Sequence, residues 1–102
     1  LGLEVLCVEK GEDAIQLWDE ASAESREFDL TILDMTIRGG MGGKETAEKI
    51  KKRNPQAKII AMSGYSENPV MSDPVLYGFN ASVSKPFTLI DLEAAIRHAI
   101  QK

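Results

Sequence analysis

Three polar residues of complementary chemistry each follow a short apolar run in this sequence. Asp34 follows Phe28-Asp29-Leu30-Thr31-Ile32-Leu33, Ser63 follows Lys58-Ile59-Ile60-Ala61-Met62, and Lys85 follows Ala81-Ser82-Val83-Ser84. A carboxylate can act as a nucleophile toward phosphorus. An ammonium can neutralise phosphoryl oxygens, and a hydroxyl can donate a hydrogen bond to them. Phosphoryl transfer mainly needs positioning and charge compensation, and this trio could supply part of both. One polar residue closing an apolar strand is ordinary, because that is where a strand meets water. Three different and complementary ones on three strand ends weaken that bland reading.

The elements that must position them alternate. Leu3 to Val8 is a short, largely apolar run with β-branched Val5 and Val8 and predicts a strand. Gly11 and the acidic pair Glu12-Asp13 follow, and residues 12–23 carry Ala14, Ile15, Leu17, Trp18 and Ala21 at helical spacing. Acids at a helix start interact well with its positive end. Residues 28–33 form a nearly continuous apolar run, which suits a strand covered on both faces of a parallel sheet. Lys44 to Arg53 predicts a surface helix that stops before Asn54-Pro55, since proline pushes its predecessor out of the helical region. A third strand is predicted at 58–62 and a fourth at 81–84. Between them residues 68–77 predict a helix interrupted by Pro74 and capped by Gly78. The last helix starts at Thr88 with Asp91 three residues on, a capping box, and continues with Leu89, Leu92, Ile96, Ala99 and Ile100 as an apolar stripe. Strict strand–helix alternation implies a doubly wound parallel α/β sheet, and ligands of such sheets bind outside the carboxyl ends of the strands.

Composition bounds the rest. The 102 residues allow one domain, taken as 1–102, with a real core. Twelve Lys and Arg against sixteen Asp and Glu give a net charge of −4, which offers no electrostatic footprint for nucleic acid or an anionic membrane. The single Cys7 excludes an internal disulfide framework and fits a reducing compartment, with Cys7 itself read as a small core residue. No apolar run approaches membrane-spanning length and no signal peptide is visible, so a cytoplasmic location is expected. The segment Gly39-Gly40-Met41-Gly42-Gly43-Lys44 has the strand-to-helix context of a phosphate-binding loop. Its pattern fails at Arg38, where the first glycine belongs, and at Glu45, where Ser or Thr belongs. A loop beside the site is the preferred reading. His98 reads as exposed or partly packed, Trp18 as core, and Lys49, Lys51, Lys52 and Arg53 as a solvated helix face.

With these residues in place, the strand ending in Asp34, the Ser63-Gly64 pair and the Lys85-Pro86-Phe87 segment together resemble the receiver domain of two-component response regulators. The glycine loop and Ser63-Gly64-Tyr65 look most like receivers attached to hybrid sensor histidine kinases. The resemblance implies a flavodoxin-like fold and a signalling domain rather than an enzyme. It also implies a function: to accept a phosphoryl group from a histidine kinase or histidine phosphotransfer domain. Asp34 would be the phosphoacceptor. Lys85 would pair with the carboxylate and then with the phosphoryl group, and Ser63 would hydrogen-bond a phosphoryl oxygen. Gly64 would leave room for that group, Thr36 and Tyr65 would flank the site, and Lys85-Pro86 would be a cis peptide. Mg²⁺ would be held by Asp34, the backbone carbonyl of Thr36 and an acidic pair. A homodimer through the last helix and its preceding strand is a further implication.

Three departures accompany the resemblance. The family's first strand and helix, and the acidic pair that ends that strand, have no counterpart in a chain that starts at Leu1-Gly2. The chain is therefore read as an N-terminally incomplete receiver with weak or absent Mg²⁺ binding and a sheet split between its first two strands. Ser82 stands where the family has its switch aromatic, and Arg38 stands where a proline is common. A pseudo-receiver that binds partners without being phosphorylated is the alternative. A phosphatase of the haloacid-dehalogenase type would want a second Asp two residues after Asp34, where Thr36 stands.

Overall fold

The computed structural model describes residues 5–24, 28–34, 43–64 and 73–100, and among these described residues the chain forms four short strands and three α-helices. In chain order they are β1 (Val5–Val8), α1 (Gly11–Ala23), β2 (Leu30–Asp34), α2 (Gly43–Arg53), β3 (Ile59–Ser63), a 3-10 turn at Pro74–Tyr77, β4 (Ala81–Ser84) and α3 (Leu89–Ile100). The strands make one parallel sheet in the order β1-β2-β3-β4.

Burial follows position in the sheet. All of β3 and the first four residues of β2 are buried, as the continuous apolar runs predict for central strands. At the edge, β1 alternates, with Leu6 and Val8 inward and Val5 and Cys7 exposed. Alternation along each strand builds two cores. On one face Leu6, Val8, Leu33, Ile59 and Ala61 pack with Ala14 and Trp18 of α1 and Ala47 and Ile50 of α2. On the other face Leu30, Ile32, Ile60, Met62, Ala81 and Val83 pack with Ala95 and Ala99 of α3. Helices therefore cover both faces, the doubly wound arrangement expected.

Local signals explain the boundaries. Thr88 and Asp91 exchange reciprocal hydrogen bonds at 3.1 Å, the expected capping box at the head of α3. Gly78 adopts the left-handed conformation with φ 89°, and its N–H and that of Phe79 close on the carbonyls of Val75 and Pro74. α2 ends at Arg53, ahead of Asn54-Pro55. Trp18 is buried as expected, and its Nε1 donates to Thr31 Oγ1 at 3.0 Å, tying α1 to β2.

Four expectations change. The sheet is not split: β1 pairs directly with β2 in the register Val5↔Leu30 to Val8↔Leu33. Two neighbouring strands with unpaired backbone groups satisfy them by closing on one another. Of the helix predicted at 68–77, residues 68–72 lie outside the described residues and Pro74–Tyr77 is a 3-10 turn with Pro74 leading it. Cys7 is exposed rather than core, because it lies on the outward side of an edge strand. Lys51 is not simply solvated. Its amine donates to the Ala57 carbonyl and to Asn80 Oδ1, and Asn80 Oδ1 also accepts from Ile59 N at 2.9 Å. Burial pushes the Lys51 amine below its ordinary value, with Lys58 adding to the shift.

Candidate functional site

The sheet's carboxyl edge gathers the three residues singled out by sequence. Asp34 closes β2, Ser63 closes β3, and Lys85 stands one residue past the end of β4. Register fixes their relation: Asp34 lies opposite Met62, and Ser63 lies opposite Ser84. Lys85 N then donates to the Ser63 carbonyl at 2.8 Å, carrying the β3–β4 pairing one residue further. The Lys85 side chain reaches toward β2, and its Nζ donates to Asp34 Oδ2 at 2.5 Å.

The pair is shielded unevenly. The Asp34 side chain is 12% exposed and that of Lys85 is 34% exposed, so the carboxylate is the more enclosed partner. Ser63 is fully buried. Gly64 follows it in an exposed position, and the Lys85–Pro86 peptide is cis, as the resemblance implies. Ser82 is half-buried on β4. Thr36 and Tyr65, the other two predicted site residues, lie outside the described residues, as do Arg38 and residues 39–42 of the glycine loop. His98 is exposed on α3, in line with its bland reading.

Sequence reasoning missed the contribution of β1. Pairing of Val8 with Leu33 brings Glu9, the residue after β1, to the strand end beside Asp34. Cys7, exposed as a residue, has a partly buried sulfur, and that burial pushes its thiol above the ordinary value. The Asp34 and Glu9 charges push the same way, and Lys85 opposes them. Cys7 therefore shares the electrostatic field of the site. Only knowledge that β1 and β2 are neighbours could have signalled this.

A carboxylate paired with an ammonium at the edge of a parallel sheet can accept an electrophilic phosphorus and hold the resulting charge. The set is less suited to Mg²⁺. That ion needs near-octahedral oxygen ligands, usually with carboxylates, and among the described residues no group of three His, Cys, Asp or Glu could hold a metal. Asp34 is the one predicted Mg²⁺ ligand among those residues, and its Oδ2 accepts from Lys85.

The family model for the response regulator receiver domain matches residues 1–97. The chain belongs to this family. The receiver domain is 29% identical over 100 residues to a cyclic di-GMP phosphodiesterase of Thermotoga maritima, covering 98% of this chain and 25% of that protein. It is 26% identical to the transcriptional regulatory protein ComA of Bacillus subtilis, covering 98% of this chain and 44% of that protein. The chain thus spans less than half the length of these curated relatives.

Solved structures agree on the fold. The receiver domain of the sensor histidine kinase PA1611 from Pseudomonas aeruginosa, crystallised with magnesium in its active-site cleft, superposes with a TM-score of 0.75. It is 19% identical, and the match covers all of both chains. A CheX–CheY–BeF3–Mg complex from Borrelia burgdorferi gives 0.74 at 19% identity, covering 91% of this chain and 66% of that one. The receiver domain therefore has the flavodoxin-like fold expected. Receiver domains are signalling domains, generally without enzymatic activity of their own, and they interact with histidine kinases and phosphotransfer proteins. Among the described residues no helix is long and apolar enough to cross a membrane.

Proposed function

We propose that this receiver domain accepts a phosphoryl group on Asp34 from a phosphohistidine and thereby switches a protein-interaction surface. The contact between Lys85 Nζ and Asp34 Oδ2 at the ends of two strands carries this reading. Before transfer, Asp34 is held by the Lys85 amine at the sheet edge. In the transfer an Asp34 carboxylate oxygen forms a bond to phosphorus as the phosphorus–nitrogen bond of the donor imidazole breaks. The imidazole leaves with the bonding pair and takes up a proton. Lys85 compensates charge on the phosphoryl oxygens, and the Ser63 hydroxyl donates to one of them. Gly64 leaves room beside the group, and Pro86 borders it. Mg²⁺ would add charge neutralisation, but among the described residues one carboxylate and its lysine do not make a magnesium site, and no step is routed through the ion.

Phosphorylation adds about 1.5 to 2 negative charges where one carboxylate stood. Ser63, Gly64 and Lys85 would follow that charge, biasing the segments between residues 64 and 87. The donor is a histidine kinase or phosphotransfer domain, including the hybrid-kinase type, and the setting is cytoplasmic. The domain itself needs no nucleic acid or membrane. A homodimer through α3 and β4 is compatible with this output.

The test is labelling of the full-length protein by a small phosphodonor such as acetyl phosphate. A hydroxylamine-sensitive acyl phosphate is expected, and it disappears in Asp34→Asn. Unchanged labelling of that variant would falsify the acceptor assignment. A full-length protein that takes no label would be a pseudo-receiver, a module that binds partners without being phosphorylated.

A further inference from the structure

Lys51, near the end of α2, is half-buried and takes no part in the chemistry at Asp34. Its Nζ donates to the Ala57 carbonyl and, at 3.2 Å, to Asn80 Oδ1. Ala57 precedes β3 and Asn80 precedes β4, so the amine sits at the amino edge of the sheet, away from the edge that carries Asp34, Ser63 and Lys85. Its partners separate it from other lysines. Lys49 and Lys85 face the carboxylates of Glu45 and Asp34. Both acceptors of Lys51 are neutral, and the charge that acts on it is the positive one of Lys58. A half-buried amine beside a like charge is disfavoured as an ammonium. Burial first, and Lys58 second, hold this amine below its ordinary value. The hydrogen bonds permit the loss of a proton. An ammonium has three N–H donors, and a neutral amine has two with a lone pair in place of the third. Two acceptors need only two donors, so deprotonation breaks neither bond and leaves the lone pair directed away from both acceptors.

We propose that Lys51 is an acylation site, reacting through Nζ with small acyl phosphates. A desolvated lysine beside another cation is an activated nucleophile. The Nζ lone pair forms a bond to the acyl carbon as the bond from that carbon to the phosphate oxygen breaks. Phosphate leaves with the bonding pair, and the nitrogen releases one proton to water. This is attack at carbon, whereas phosphoryl transfer to Asp34 is attack at phosphorus, so neither event requires the other. The product amide carries one N–H and no charge. Either Ala57 or Asn80 then loses its donor, and the tie from α2 to the entries of β3 and β4 falls to a single bond.

The experiment treats the full-length protein with acetyl phosphate at pH 8 and times acetylation of each lysine by peptide mass spectrometry. Lys10 and Lys52, both exposed, are the references. Lys51 should acetylate about three-fold faster than either, or more, because it holds a larger share of neutral amine. In urea, where burial and the Lys58 contact are lost, the rates should converge. Asn80→Asp puts a carboxylate beside the amine and keeps an oxygen for Lys51 and for Ile59 N. It should slow Lys51 by about ten-fold and leave Lys52 unchanged. Lys58→Gln removes the like charge and should slow Lys51 by about two-fold. A Lys51 rate at or below that of Lys52 overturns the proposal, and so does an advantage that persists in urea. An unchanged Lys51 rate in Lys58→Gln also overturns it, whether or not Asn80→Asp folds.

Discussion

Lys85 Nζ lies 2.5 Å from Asp34 Oδ2, a contact between residues 51 positions apart in sequence that joins the ends of β2 and β4 across β3. Removing the amine takes the Lys85 charge from an enclosed carboxylate and, on the proposed phosphoacceptor role, from the incoming phosphoryl group. Lys85→Met should slow acetyl phosphate labelling by roughly a hundred-fold, the scale of losing one charge-stabilising donor. Stability in urea at neutral pH should fall by only about 1 kcal/mol, because the part-exposed amine is screened by water. A labelling rate equal to that of the unmodified chain would remove Lys85 from the site.

Ser63 differs from Lys85 in being fully buried at the end of a central strand. Its backbone carbonyl holds Lys85 N, and this bond survives any side-chain change. Ser63→Ala should therefore keep the fold and reduce labelling by about ten-fold, through loss of one hydroxyl donor to the phosphoryl group. Intact labelling kinetics with an unchanged unfolding curve would show that the hydroxyl serves the strand and not the chemistry.

The trio was legible because each member ends an apolar run, and in a parallel sheet those ends share one edge. The capping box at Thr88 and Asp91 and the glycine cap at Gly78 were legible for the same reason: each is a local rule acting within a few residues. The neighbour of β2 was not. Which strand pairs with which is a long-range choice, and nothing in Leu3 to Val8 names Leu30 to Leu33 as its partner. The placement of Cys7 and Glu9 beside the site depends on that pairing, and so it was lost with it. Misreading Cys7 as core had a simpler cause: the edge position exposes alternate residues of a run that is apolar throughout.

Cys7 offers a report on the charge at Asp34. Burial, then Asp34, then Glu9 raise its thiol above the ordinary value of 9.0, and Lys85 acts in the opposite sense. A raised thiol is mostly protonated and reacts slowly, since the thiolate is the nucleophile. Asp34→Asn removes one negative charge, so the thiol should titrate at lower pH and iodoacetamide should react faster at pH 8. Lys85→Met should do the reverse. The linkage has a definite sign: a folded-state value above the unfolded one favours the fold at lower pH, and this contribution fades as pH climbs past 9.0. Identical alkylation rates in all three chains would separate Cys7 from the site.

Trp18 connects the core to the strand that carries Asp34. It is 1% exposed, its ring meets Phe28 edge-on at 5.4 Å, and its Nε1 donates to the buried Thr31 hydroxyl on β2. Trp18→Ala should cost about 3 to 5 kcal/mol through lost burial and the cavity left behind. Trp18→Phe keeps an aromatic ring but removes the donor, and stranding a buried hydroxyl costs about 1 to 3 kcal/mol. Pairing Trp18→Phe with Thr31→Val removes both polar partners, so the double variant should be more stable than the sum of the single losses predicts. Urea unfolding followed by far-ultraviolet circular dichroism measures the cycle without relying on the tryptophan signal. Strict additivity would mean that the Trp18–Thr31 bond contributes nothing beyond packing, and that the Trp18 side chain ties α1 to β2 by apolar contact alone.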